Sequence, residues 1–98
     1  MRTFKVDGET LTVATDRHYS NGRMAVELFA SDGSPWAVLS VNLPDARELP
    51  RGHFYAKTWS ENEPLRGPAL ASGLFEDTGE RVQTGYVKAE VWKLARKK

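Results

Sequence analysis

The chain has 98 residues, 40% of them hydrophobic and 28% charged, with 14 basic and 13 acidic side chains and a formal net charge of +1. That is enough for one domain over residues 1–98 with a single core. It is too apolar and too evenly charged for a disordered chain, and it lacks the basic excess of a protein built to neutralise phosphates. The absence of cysteine excludes a disulfide framework, a thiolate zinc site and a cysteine nucleophile.

Strand signals begin at once. Residues 2–6, "RTFKV", alternate Phe4 and Val6 with polar neighbours, and Asp7-Gly8 is a dipeptide that tolerates positive φ in a two-residue hairpin turn. "TLTVAT" returns with Leu11 and Val13 on one face. A turn is expected at Asn21-Gly22, after which "RMAVELFA" places Met24, Val26, Leu28 and Ala30 together. Residues 31–35 form a loop that Pro35 leaves in an extended conformation. "WAVLSVNL" then puts Ala37, Leu39, Val41 and Leu43 on one face and Trp36, Val38, Ser40 and Asn42 on the other, and Pro44 ends it. A connection over 45–52 leads to a fifth strand, "HFYAKTW". Residues 60–73 read as an interrupted helical segment ending at Gly73, a left-handed C-cap. Residues 74–84 read as irregular, or as a short hairpin around Asp77-Thr78-Gly79. "GYVKAEVWKL" closes the chain with Val87, Ala89 and Val91 on one face.

Five strands, a short helix and a last strand predict a β-dominant α+β fold. It is either a single twisted antiparallel sheet or a small partly open barrel of about six strands with one short helix. The N-terminus has no apolar core and no apolar run approaches a bilayer span. The expectation is a cytoplasmic protein with no membrane partner. Residues 95–98, the end of a basic cluster of Lys93, Arg96, Lys97 and Lys98, read as a solubilising tail.

The second faces of the strands are unusual. Trp36, Tyr55, Trp59, Tyr86 and Trp92 all lie opposite the small aliphatic residues of their own strands, where an antiparallel sheet is ordinarily polar. Three readings are open. The sheet can coil until these aromatics close the core. They can form an exposed patch that binds a protein or a second copy of the chain, with Glu61 and Glu63 as its polar rim. Or they can stack bases of single-stranded nucleic acid with Lys57, Lys88, Lys93, Arg96, Lys97 and Lys98 as cations.

Catalytic chemistry finds little support. His18 and His53 belong to no metal-ligand spacing, and no spacing selects a carboxylate pair. The glycines match neither phosphate-cradling motif and the serines lack a nucleophile elbow. No enzyme activity, metal or cofactor is expected. Within "KTWSENEPLRGP", residues 57–68, Ser60 and Glu63 have capping-box spacing, but Pro64 is better placed as the first helical residue. Gly67-Pro68 then interrupts the helix. Most of this segment reads as a strand-to-helix corner.

Three blocks carry a resemblance. Asp32, Gly33, Pro35, Trp36, Ala37, Leu39, Ser40, Val41, Asn42, Leu43 and Pro44 match a D-E-G-x-P-[FY]-A-x-L-[ST]-V-N-L-P strand. Asn62 and Pro64 match an N-x-P segment, and Gly73-Leu74 a helix end. Over residues 22–75 the chain resembles a family of small bacterial domains of unknown function found in plasmids, conjugative elements and phages. Trp36 replaces a smaller aromatic, and Gly67-Pro68 departs from an otherwise plain helix. The resemblance implies no activity. Its setting implies an accessory protein of a mobile element that occludes a host defence protein, a CRISPR or restriction component, in the manner of an anti-CRISPR inhibitor. The alternative is a nucleic-acid-binding accessory domain of such an element. The protein is expected as a monomer or a homodimer.

Overall fold

The computed structural model describes residues 2–17 and 22–95. His18 and Asn21, and the tail residues Arg96, Lys97 and Lys98, lie outside the described residues. Among those described, seven strands and one α-helix follow in the order β1 (Thr3–Val6), β2 (Glu9–Arg17), β3 (Met24–Phe29), β4 (Pro35–Val38), β5 (His53–Ala56), α1 (Glu63–Ala71), β6 (Phe75–Thr84) and β7 (Val87–Leu94). They form two antiparallel sheets, β1-β2-β3-β4 and β5-β7-β6. The fold is therefore β-dominant α+β, with two sheets rather than one. Asp7 and Gly8 both have positive φ, at 51° and 83°, and set the β1–β2 register with Val6 opposite Glu9, as a type I′ hairpin turn requires.

The strand expected over residues 36–43 ends at Val38, where the chain changes sheets. Leu39 N donates to Val26 O at 2.8 Å in the first sheet. Leu39 O accepts from Lys57 N at 2.7 Å, and Val41 N donates to Tyr55 O at 2.9 Å, both beside β5. Between them Ser40 bridges to Ala56, and its hydroxyl oxygen accepts from Val26 N at 2.8 Å. Leu39 accordingly enters the main core, while Val41 and Leu43 join a second apolar cluster. On the other side β1 and β6 do not pair. Helix α1 packs against both and spans the opening, so the barrel stays unclosed.

The main core gathers Phe4, Val6, Leu11, Val26 and Leu28 from the first sheet, Phe54, Phe75 and Trp92 from the second, and Leu65 and Ala69 from α1. Phe75 sits at its centre, edge-on to Phe4 and Phe54 with centroids 6.3 and 5.9 Å away, a favoured arrangement of ring quadrupoles. Residues 75–84, expected as irregular or as a hairpin, form one strand along β7. Asp77 lies opposite Trp92 and Arg81 opposite Glu90, so residues 78–80 are a bulge. The Asp-Thr-Gly signal is satisfied inside the strand: Gly79 has φ of 89° and its N–H donates to Asp77 Oδ1 at 2.9 Å.

Helix α1 runs through Gly67 and Pro68 without interruption. Pro68 lacks the N–H that the Pro64 carbonyl would accept, so the helix forgoes one internal bond. A 3-10 turn over Ser60–Asn62 leads into it, Ser60 holds a left-handed φ of 60° and Gly73 one of 80° after the last turn. Asn62 occupies the N-cap position without capping. Its buried Nδ2 instead donates to Val38 O at 2.8 Å and Lys57 O at 3.1 Å, stapling the corner to the end of β4. Asn62→Ala is expected to cost about 1–2 kcal/mol. Two bonds are lost, but so is a buried Oδ1 that has no partner. Urea unfolding should show a lower midpoint with unchanged slope, and an unshifted midpoint would refute the staple.

Candidate functional site

The five aromatics do not share a face. Trp92 is fully buried in the main core, and its indole N–H donates to Glu90 Oε1 at 2.9 Å. Tyr55 is buried in the second cluster with Ala89 and Val91, and Trp59 packs half-buried against the same group. Tyr55 OH donates to Arg47 O at 2.5 Å, and burial pushes its pKa up against the pull of Arg23 and Arg47. Tyr86 is exposed at the tip of the β6–β7 hairpin, and Trp36 is 47% exposed on β4.

The expectation of an exposed aromatic face is corrected for Trp92, Tyr55 and Trp59, and the reason is cover. Both faces of β5 and of the middle of β7, Ala89 to Trp92, are buried, one by the main core and the other by Val41, Leu43, Ala46 and Leu49 of the irregular segment after β4. Two arginines pin that segment. Arg23 donates to the carbonyls of Leu43 and Ala46, the latter at 2.7 Å, and Arg47 pairs with Glu80 of β6, Nε to Oε2 at 3.1 Å. Nothing in the sequence marked Arg23 or Arg47, because a loop arginine bonded to carbonyls looks like any solvated cation.

The charged candidates are dispersed. Lys57 pairs with Glu61 at 2.7 Å, and Lys93 with Glu76 at 3.4 Å. The Lys57 hydrogen bond holds the Glu61 carboxyl at about 2. Lys88 and Glu63 are exposed at separate places. Among the described residues the densest charge network is Arg66, Glu90, Arg81 and Asp77, two cations and two anions tying α1 to β6 and β7. Arg66 Nε reaches both Glu90 oxygens, at 3.1 and 2.8 Å, and Arg81 grips Asp77 through two nitrogens at 2.9 and 2.8 Å. Every member is bonded within the network, so it reads as a docking device for the helix.

Trp36 differs from its companions. Leu28 lies opposite Ala37 and Phe29 opposite Pro35, so β4 carries one more residue than its partner at Trp36. A bulge of this kind re-aims a side chain, and here it leaves Trp36 outward next to Val38, itself 48% exposed. Beside Trp36 a groove of about 250 Å³ is walled by Val6, Ala37, Pro64 and Leu65, with Asp7 and Glu61 at its rim. At the opposite end of β2 a wider cleft of about 770 Å³ includes Arg17, Arg51 and His53 in its lining. That cleft also contains Asp16 and Glu48 and so mixes both signs, whereas the charged residues lining the groove are both carboxylates. The groove offers an aromatic wall, an aliphatic floor and two carboxylates, which suits contact with another molecule.

No family model, curated protein or solved structure matches the chain. Two residues of the resemblance blocks serve architecture near the point where β4 leaves its sheet, Ser40 accepting from Val26 N and Asn62 donating to Val38 O. Among the described residues no helix is long and apolar enough to cross a membrane.

Proposed function

We propose that the chain is a protein-binding module acting by stoichiometric contact, without catalysis, through Trp36, Val38 and the adjoining groove. The observation that carries this is the pair of large apolar side chains, each about half exposed, side by side on an edge strand. Edge strands are ordinarily guarded with charge or cover, and tryptophan is the residue most enriched at binding hot spots. The bulge that aims Trp36 outward adds nothing to the core, which supports a role in contact. Tyr86, exposed at the hairpin tip, is a second candidate contact. The choice of partner rests on the resemblance in residues 32–44: a host defence protein of the CRISPR or restriction type, bound by an accessory protein of a mobile element. The nucleic-acid reading has less behind it, since Lys57 and Lys93 already hold acidic partners.

Affinity capture from host cells, followed by sedimentation of the purified pair, tests the proposal. Trp36→Ala is expected to weaken a 1:1 complex by about tenfold or more, with the urea midpoint unchanged because Trp36 lies outside both cores. A folded Trp36→Ala/Val38→Ala variant that binds as well as the parent overturns it. So does a gel shift with single-stranded nucleic acid that weakens steeply with salt.

A further inference from the structure

We infer that the groove beside Trp36 receives an arginine side chain of the partner protein, an inference that rests on the binding-module reading. Size narrows the occupant first. At about 250 Å³ the groove falls below the roughly 300–1,000 Å³ of small-molecule sites, and it suits one long side chain. Its walls separate into two kinds. Val6, Ala37, Pro64 and Leu65 supply aliphatic lining for a methylene stem, and the exposed Trp36, Asp7 and Glu61 supply an aromatic wall and two carboxylates. Arginine has that division: an apolar stem, and a planar cation that stacks on indole and pairs with carboxylate.

Charge complementarity points the same way. The charged residues that line the groove, Asp7 from the β1–β2 turn and Glu61 from the 3-10 turn before α1, are both acidic. Lys57 pairs with Glu61 and offsets that carboxylate in part, while Lys5 lies on the face of β1 opposite buried Val6. Asp7 enters none of the ion pairs among the described residues, so its charge is available to an incoming cation. The cleft at the other end holds Arg17, Arg23 and Arg51 together with Asp16 and Glu48, and so mixes both signs. Of the two, the Trp36 groove, whose charged lining residues are both carboxylates, is the better match for a cationic group.

The test uses the full chain and a blocked peptide, acetyl-Ala-Arg-Ala-amide, followed by nuclear magnetic resonance at the Trp36 indole N–H, assigned by its loss in Trp36→Ala. A shift that saturates at about millimolar peptide is expected. The citrulline counterpart, equal in shape but uncharged, should bind about fivefold or more weakly. Asp7→Asn should weaken the arginine peptide about threefold or more. This variant keeps the fold, because asparagine accepts the φ of 51° at that position and Asn-Gly is the favoured turn pair. No shift at Trp36, or equal binding of the citrulline peptide, overturns the inference. If Trp36→Ala abolishes capture of the protein partner while Asp7→Asn and the peptide do nothing, the module stands and the arginine does not. If Trp36→Ala leaves capture intact, both fall.

Discussion

Replacing Trp92 by alanine is expected to remove about 3–5 kcal/mol of folding stability, a large share of the roughly 5–15 kcal/mol that holds a domain together. The indole is wholly buried. It meets Phe54 at 6.1 Å and Phe75 at 5.8 Å between centroids, and it ends in a hydrogen bond to Glu90. No neighbouring element can collapse into the space, because Phe75 is held from the other side by Phe4. Urea denaturation should therefore find Trp92→Ala largely unfolded or close to its midpoint in buffer. Trp92→Phe, which keeps a ring but not the N–H, should lose less. A Trp92→Ala protein with native-like stability would mean that this ring does not anchor the core. Trp36→Ala, by contrast, should leave stability unchanged.

The two tryptophans show where reading residues stops being enough. Trp36 and Trp92 occupy equivalent positions in the alternation of their strands, each opposite small aliphatic residues, and one is outside while the other is the heart of the core. Alternation tells inside from outside only when one face of a sheet is wet. Both faces of β5 and of the middle of β7 are covered, so Ala89 and Val91 on one side and Trp92 and Leu94 on the other are all packed. The cover on the second face comes from residues 41–49, which have no regular structure, and their docking is set by carbonyls accepting from Arg23. Carbonyl acceptors leave no trace in a sequence. In β4 the deciding feature is a one-residue bulge, which is a property of pairing rather than of composition.

Local backbone chemistry was more readable. Asp7-Gly8 and Gly73 each demand a particular dihedral and stand at the turn and helix end expected of them, while Pro35, expected to end a loop, opens β4 in an extended conformation. The same kind of signal misled at Asp77-Thr78-Gly79, since a glycine with positive φ serves a bulge as well as a hairpin. The distinction depends on whether the flanking residues find a long partner, and β7 supplies one from Val87 to Leu94. Gly67-Pro68 misled in the other direction. Packing of Leu65 and Ala69 into the core outweighs one missing helical bond, so tertiary contact overrides local preference. For the candidate groove, Trp36 and Glu61 were in the expected set, while Asp7, Val6 and Pro64 come from elements that only the fold brings together.

Glu90→Gln is expected to cost about 2–3 kcal/mol near neutral pH and progressively less in acid. Glu90 is buried on β7, where burial alone would push its carboxyl up. Hydrogen bonds from Arg66 and the Trp92 indole, with the charges of Arg66 and Arg81, more than offset that and hold it below its ordinary value. Asp77 is likewise lowered, chiefly by its hydrogen bond from Arg81. A carboxyl with a depressed folded pKa stabilises the native state above its unfolded value, about 4 for these groups, and that contribution disappears as pH falls through the folded value. Wild-type stability should therefore decline below about pH 4 as the network takes up protons. Glu90→Gln, which cannot take up that proton, should decline less steeply, and the gap between the two should narrow as the pH falls through the folded value. Urea titrations of both proteins at neutral and acid pH measure it directly. A gap that stays constant across that range would mean that Glu90 acts through shape alone, and that the charge linking α1 to β6 and β7 contributes nothing to holding the open side of the barrel.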